Sequence, residues 1–174
     1  MATRTKRVFI SDIHLGMNAE WDWYAPDTHE GPLLELLHYV RAPKSGVKDL
    51  VLNGDLFETW MCPLDRKPPT IAEILAKHTR VLDELHAVSE SGVDVFYAPG
   101  NHDMNVEAAD LAARLPKLKV VKRYNSGLLY AEHGSRFAMF NAPDTMHDPS
   151  DGLPLGYFIT RMLAGHADYT RPRA

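Results

Sequence analysis

Three short apolar runs in this chain each end directly in a cluster of polar side chains. The runs are Val8-Phe9-Ile10, Leu50-Val51-Leu52 and Val95-Phe96-Tyr97. Each run has the length of a buried strand, and the segments between them are long enough to hold helices. Connections of that length between short buried strands favour a parallel sheet with right-handed crossovers. The pattern therefore predicts a β-α-β-α-β order, which is an α/β fold.

The apolar pattern also predicts where the elements begin and end. We predict strands at 7–11, 49–53 and 94–98, strand-like segments at 119–123 and 127–132, and helices at 32–41, 71–90, 106–115 and 155–164. Pro32 would lie near the first turn of its helix, and Asn105 would cap the helix at 106–115. Thr70 and Glu73 match a capping box at the start of the 71–90 helix. His78 lies on the apolar stripe of that helix, where we expect a buried, hydrogen-bonded histidine rather than a metal ligand.

Composition limits the class of protein. The chain has 174 residues, 45% hydrophobic and 24% charged, with a net charge of -4, which is typical of one globular domain spanning 1–174. No stretch concentrates Lys and Arg, so the charge gives no strong signal for nucleic acid, although it does not exclude it. We see no membrane span and no secretory signal, and we therefore expect a cytoplasmic protein. The single cysteine, Cys62, excludes an internal disulfide and a thiolate metal site.

The polar clusters consist of side chains that bind metal ions. In a parallel sheet all of them would lie at the carboxyl ends of the strands, where ligands bind. Asp12 and His14 are two residues apart at a strand end, so both can face one cation. The Asp55 carboxylate has two oxygens and can bridge two cations, while Asn101 and His133 offer a carbonyl oxygen and another imidazole. Oxygen and imidazole ligands without thiolate suit Mn, Fe or Zn better than Ca.

Two divalent metal ions at this edge would favour phosphoryl-transfer chemistry. Cations ~3.5–4 Å apart activate a bridging hydroxide and hold the oxygens of a phosphoryl group. His102 is followed by Asp103, a carboxylate that would favour the imidazolium form of the histidine. Such a histidine could donate a proton to the leaving oxygen or stabilise charge on the phosphoryl oxygens. His102 and Asp103 are therefore the candidate catalytic residues.

The order of these residues resembles the calcineurin-like metallophosphoesterases. The segments that carry the resemblance, within residues 7–134, are Asp12-x-His14, Gly54-Asp55-x-x-Glu58, Gly100-Asn101-His102-Asp103 and His133. The resemblance implies a β-sheet sandwich flanked by helices and a binuclear metal centre. One metal ion would be held by Asp12, His14 and Asp55, and the other by Asp55, Asn101 and His133. His102, backed by Asp103, would assist cleavage. Of the metals that accept these ligands, we expect manganese before iron or zinc.

The chain departs from the family pattern near its end. The family normally completes its site with Gly-His-x-His, whereas the nearest match here is Gly165-His166-Ala167-Asp168. We therefore expect these 174 residues to be the front part of a longer member, incomplete at the C-terminus, with 135–174 as a cap or insert region. Glu58 stands where many members have Asp, and we expect it to support the site rather than bind metal.

The substrate is less constrained than the chemistry. Residues 54–60 resemble a branch of the family that cleaves a pyrophosphate, but that branch usually has Arg at the position of His102, so we do not transfer its substrate. The sequence predicts hydrolysis of a phosphomonoester, phosphodiester or pyrophosphate in a small-molecule or nucleotide-like substrate, by attack of a metal-bridging hydroxide. The alternative is a truncated or degenerate member that binds metal or a partner without turnover. Trp23 and Trp60 would flank the metals, either stacking on a base or packing under a loop. The oligomeric state is open.

Overall fold

The computed structural model describes residues 4–143 and 152–166. The elements in chain order are β1 (Lys6–Ile10), α1 (Pro26–Arg41), β2 (Val47–Asn53), α2 (Ile71–Lys77), α3 (Thr79–Glu90), β3 (Asp94–Ala98), α4 (Ala108–Leu111), β4 (Lys119–Val120), β5 (Tyr124–Asn125), β6 (Tyr130–Ala131) and α5 (Leu155–His166). Short 3-10 turns lie at Pro43–Ser45 and Ser135–Phe137. No helix in the two described ranges is both long and apolar enough to cross a membrane.

The four strands β1 to β4 form a parallel sheet in that order. β2 lies between β1 and β3, with Leu50 opposite Val8 on one side and Val95 on the other. Helices α1 and α3 pack against each other and contact β2 and β3, respectively. The α/β class, the parallel sheet and its flanking helices are confirmed. Because parallel strands all point the same way, the carboxyl ends of β1, β2 and β3 share one edge of the sheet.

Helix α1 begins at Pro26, earlier than the predicted helix at 32–41. Proline is well suited to the first helical turn, because its fixed φ is helical and its missing N–H would have no partner there. Pro26 takes that place, and Pro32 lies inside the helix, so the prediction that Pro32 marks the first turn is wrong. Leu33, Leu37 and Val40 form the buried stripe of α1.

The predicted helix at 71–90 is divided into α2 and α3 at His78. The capping box is confirmed, because Thr70 Oγ1 accepts from the Glu73 backbone and the Glu73 carboxylate accepts from the Thr70 backbone. At His78 the backbone leaves the helical region, with φ -111° and ψ 39°. Its buried ring donates through Nε2 to the Gly16 carbonyl at 2.7 Å. His78 is therefore a buried, hydrogen-bonded histidine as predicted, and its tertiary bond lies at the helix break.

The shorter elements differ most from their predictions. Helix α4 has four residues and begins after Glu107, so the predicted helix at 106–115 with Asn105 as its cap is too long. Of the two strand-like segments, only 119–120 joins the parallel sheet, and residues 124–125 pair with 130–131 as an antiparallel hairpin. The hydroxyl of Tyr124 in this hairpin donates to Asp49 of β2 at 2.6 Å, so the hairpin is bound to the sheet. The final predicted helix is confirmed as α5.

Candidate metal centre

The predicted metal ligands come together at the carboxyl edge of the sheet. Asp12 and His14 follow β1, Asp55 follows β2, Asn101 follows β3, and His133 follows the β5–β6 hairpin. Backbone hydrogen bonds join the first two loops, from Asp12 N to Gly54 O at 3.1 Å and from His14 N to Asp55 O at 2.9 Å. The loop after β3 is bound to them by His102 N, which donates to Asp55 Oδ1 at 2.9 Å.

The Asp55 carboxylate lies between two imidazoles. Its Oδ2 atom is 3.9 Å from His14 Nε2 and 3.2 Å from His133 Nε2. On the first side, Asp12 Oδ1 is also 3.9 Å from His14 Nε2. On the second side, Asn101 Oδ1 is 3.2 Å from His133 Nε2. One shared carboxylate oxygen therefore separates two groups of donors, Asp12–His14 and Asn101–His133.

Both imidazoles are held so that Nε2 faces Asp55. His14 Nδ1 is 2.8 Å from Glu58 Oε2, and His133 Nδ1 is 3.0 Å from the Asn53 carbonyl. Since both partners are acceptors, each Nδ1 donates a hydrogen bond, and Nε2 is the ring atom left to bind a metal ion once its proton is released. This is the common orientation of metal-binding histidines, whose other nitrogen donates to a carboxylate or a carbonyl. The donors present thus fit divalent cations of the Mn, Fe and Zn type.

Strained backbone holds three of the five predicted ligands. Asp12, His14 and Asp55 have φ values of 56°, 55° and 53°, in the left-handed region that non-glycine residues rarely adopt. Each such residue costs on the order of 1–3 kcal/mol, and such strain collects at functional sites. Two glycines make room for the ligands. A Cβ atom at Gly54 would overlap the His133 ring, and one at Gly100 would overlap the Asp55 carboxylate.

The charges of the ligands are coupled. The hydrogen bond to Asp55 raises the pKa of His133 to about 9, although burial opposes this. Burial would lower the pKa of His14, but Glu58, Asp55 and Asp12 together raise it. Burial would raise the pKa of Asp55, but His133 and His102 hold it below its usual value. The cluster thus combines closely spaced carboxylates with imidazoles that gain protons readily, and a divalent cation can replace those protons.

His102 is held by Glu58 and by aromatic rings. Its Nδ1 atom is 2.8 Å from Glu58 Oε1, and its ring stacks on Trp60 with centroids 4.4 Å apart. Trp23, about half exposed, lies with its centroid 5.2 Å from His102 and 4.7 Å from His14. Burial opposes ionisation of Glu58, but hydrogen bonds from His102 and His14 lower its pKa to about 2. Glu58 thus supports the site as predicted. Its hydrogen bond with His102 was not predicted from the sequence.

The predicted pairing of Asp103 with His102 is wrong. The Asp103 carboxylate instead accepts from the backbone of Gly100 at 2.6 Å, of Phe57 at 3.1 Å and of Asp55 at 3.3 Å. Adjacent residues in a turn point in different directions, so the Asp103 carboxylate faces the backbone of the loops while the His102 ring lies against Glu58 and Trp60. The sequence did contain a signal for Glu58 as the partner of His102. The spacing Asp55-x-x-Glu58 places a second carboxylate in the same loop as the predicted ligand Asp55.

Not every histidine or carboxylate near the cluster is a candidate metal ligand. His14, Glu58 and His102 also lie close enough to surround an ion. Glu58 already accepts from both histidines and from the backbone of Trp60 and Met61, so this group is a hydrogen-bond network. His166, from the weak Gly165-His166 match, is exposed and donates to the Met162 carbonyl of its own helix. Ala167 and Asp168 lie outside the described residues.

Known proteins resemble this chain over most of its length. A model of the calcineurin-like phosphoesterase family matches residues 5–166, a range that holds all of the predicted site residues. Among curated proteins, the UDP-2,3-diacylglucosamine hydrolase of Xanthomonas campestris pv. campestris (strain B100) is 38% identical over 103 residues, which are 59% of this chain and 34% of that protein. The hydrolase of the same name from Xanthomonas axonopodis pv. citri is 37% identical over 100 residues, or 57% and 33%.

A relative from another genus is similar over a longer segment. The UDP-2,3-diacylglucosamine hydrolase of Aromatoleum aromaticum is 30% identical over 131 residues, covering 73% of this chain and 46% of that protein. The chain therefore spans between about a third and a half of the length of the curated relatives it matches.

Proposed function

The chain belongs to the calcineurin-like phosphoesterase family, and from this premise we propose that it hydrolyses a phosphate ester or pyrophosphate with two divalent metal ions. One ion would be bound by Asp12, His14 and Asp55, and the other by Asp55, Asn101 and His133. The observation that carries the proposal is the position of Asp55 Oδ2, at 3.9 Å from His14 Nε2 and 3.2 Å from His133 Nε2. A carboxylate so placed can be shared by two ions.

Neighbouring groups orient the proposed ligands for metal binding. Glu58 and the Asn53 carbonyl accept hydrogen bonds from Nδ1 of His14 and of His133, so that the two Nε2 atoms face Asp55. When bound, the two metal ions supply an activated nucleophile and stabilise charge on the phosphoryl oxygens. The chain's part is to fix the ligands at the right separation, which the shared carboxylate and the strained loop backbones support.

We propose His102 as the group that acts on the leaving oxygen. Its Nδ1 atom is engaged by Glu58, so any proton it delivers comes from Nε2. The hydrogen bond to the buried Glu58 carboxylate orients the ring, and the stacked Trp60 keeps it in one plane. A proton given to the leaving oxygen at this point, or charge placed against the phosphoryl oxygens, lowers the barrier to bond cleavage.

The substrate class of the proposal is a small phosphorylated molecule with a nucleotide-like part. The relatives are named for UDP-2,3-diacylglucosamine, whose diphosphate contains a pyrophosphate bond. That compound is therefore the first natural substrate to test, alongside a simple phosphodiester. The oxygen and imidazole donors suit several metals, and we propose manganese as the first. A cytoplasmic location stays a prediction from the sequence.

Hydrolysis of bis(p-nitrophenyl) phosphate by the purified chain with Mn²⁺ tests the proposal. We expect turnover that depends on metal, and a fall of about a thousandfold in Asp55→Asn, because loss of the shared ligand removes several kcal/mol of charge stabilisation. Asp83→Asn is the matched control, since Asp83 lies on α3 and pairs with Arg114 at the surface. Undiminished turnover in Asp55→Asn would rule out the two-metal assignment. Metal binding without any turnover would favour the degenerate alternative.

A further inference from the structure

A buried arginine on α5 binds the loop that follows β2. Arg161 is 9% exposed, and its guanidinium donates from Nε to the Cys62 carbonyl at 3.1 Å and from Nη2 to the Pro63 carbonyl at 3.0 Å. The same Nη2 atom also approaches the carbonyls of Leu64 and Arg66. One side chain therefore satisfies carbonyls from four residues of a single short loop, which we call the 62–66 loop.

This set of contacts needs the shape of a guanidinium. Burying a charge is costly unless hydrogen bonds replace its water, and Arg161 forms no salt bridge with any described residue. Its planar fork of five N–H donors reaches several carbonyls at once, whereas a lysine ammonium is a compact charge on a flexible stem. Arg161 thus fixes the 62–66 loop to α5 through a planar set of donors that no other type of amino acid has.

From Arg161 a chain of contacts leads to His102. Arg161 Nη1 donates to the Tyr157 hydroxyl at 2.8 Å, one turn earlier on α5. The Tyr157 ring meets the Trp60 ring edge to face, with centroids 5.8 Å apart and an angle of 87°. Trp60 in turn stacks on His102, with centroids 4.4 Å apart and an angle of 28°. Trp60 is only 2% exposed, so its ring is enclosed between Tyr157 and His102.

We propose that Arg161 is a positioning residue for His102. It fixes the 62–66 loop and α5, α5 presents Tyr157 to Trp60, and Trp60 sets the plane of the His102 ring. Glu58 holds one nitrogen of His102. The stacked Trp60 ring lies against the face of the imidazole and fixes its plane. The catalytic consequence rests on the proposed function, whereas the placement of the ring does not.

The proposal predicts a specific pattern of effects. Loss of Arg161 should lower kcat by roughly ten- to a hundredfold, because a small misplacement of a catalytic group is costly. The KM and the metal content should stay close to wild type, since the hydrogen bonds and ring contacts that link Arg161, Tyr157 and Trp60 to His102 involve none of the five proposed metal ligands. In a His102→Ala background the same substitution should lower kcat no further.

The test compares Arg161→Gln and Arg161→Lys with the control Arg114→Gln, whose side chain pairs with Asp83 on the surface. The readout is the His102 Cε1–H signal in ¹H–¹³C NMR spectra of the chain loaded with Zn²⁺, assigned by its loss in His102→Ala. The ring current of Trp60 shifts this signal in the wild type. We expect both Arg161 variants to move it, and Arg114→Gln to leave it in place. Tyr157→Leu keeps the hydrogen bonds between Arg161 and the loop carbonyls but removes the ring that contacts Trp60, so it should also shift the His102 signal. This variant replaces the Arg161 variants in the test if those do not fold.

An unmoved His102 signal in folded Arg161→Gln and in Tyr157→Leu would overturn the proposal. A loss of kcat with an unmoved signal would also overturn it, because the loss would then act through another group. If the wild-type chain shows no turnover, the proposed function fails, and the position of the His102 signal in the variants still decides the placement role of Arg161.

Discussion

At the scale of single residues, Glu58 connects the proposed metal ligand His14 to the proposed acid His102 through hydrogen bonds. Its Oε2 accepts from His14, while its Oε1 accepts from His102 and from the backbone of Trp60. One buried carboxylate thus fixes the orientation of a proposed metal ligand and of the proposed acid. It can do so because an ionised carboxylate offers acceptors on both oxygens and donates nothing.

Glu58→Gln should weaken the metal site at His14 and spare the one at His133. The amide oxygen will occupy the place of Oε1, which meets several donors, and the amide NH₂ will then face His14 Nδ1. His14 must accept there and carry its proton on Nε2, where the metal would bind. We expect about ten- to a hundredfold weaker binding at one of two sites in a calorimetric Mn²⁺ titration.

Glu90→Gln is the matched control, since Glu90 pairs with Lys117 on the surface. Equal weakening of both sites in Glu58→Gln, or of neither, would contradict the assigned geometry.

At the scale of elements, Asp103 joins the loops after β2 and β3. Its carboxylate accepts from backbone N–H groups on both sides of the site, at Asp55, Phe57 and Gly100. Burial raises the pKa of Asp103, and the backbone donors oppose that shift. The two loops that carry Asp55 and Asn101 therefore keep their separation through a carboxylate that touches neither proposed metal ion.

Asp103→Asn should destabilise the fold and reduce metal binding together. The amide replaces one acceptor oxygen by a donor that faces backbone N–H groups, and buried unpaired groups cost about 1–3 kcal/mol each. We expect a lower Tm and a lower Mn²⁺ content after gel filtration. Asp83→Asn, on the exposed face of α3, should change neither. A normal Tm in Asp103→Asn would show that its hydrogen bonds are not structural.

Elements could be predicted from sequence where their signals are local. The strand at 94–98 and the capping box at Thr70 were found because they depend on neighbouring residues alone. The break at His78 was missed, because it accompanies a hydrogen bond to Gly16, far away in the sequence. The strand-like segment at 127–132 contains β6, but its pairing with β5 was missed for a similar reason, since the place of the hairpin depends on the bond between Tyr124 and Asp49.

At the scale of the whole molecule, the parallel sheet explains how distant residues meet. The meeting of the loops that carry Asp12, Asp55 and Asn101 could be predicted, because the parallel strand order brings them to one edge, whereas the loop of His133 follows the separate β5–β6 hairpin. The contacts of Asp103, Glu58 and Arg161 could not, since they depend on how each loop turns after its strand. Sequence spacing indicates which loops meet, whereas side-chain direction within a turn follows from the folded backbone.

In the proposed centre, Asp55 joins two metal ions. Electron paramagnetic resonance of the chain loaded with two equivalents of Mn²⁺ tests it directly, because ions ~3.5–4 Å apart are magnetically coupled. We predict a coupled-pair spectrum in the wild type and in Asp83→Asn, and the spectrum of isolated ions in Asp55→Asn. A spectrum of isolated ions alone in the fully loaded wild type, or a coupled pair that persists in Asp55→Asn, would contradict the account.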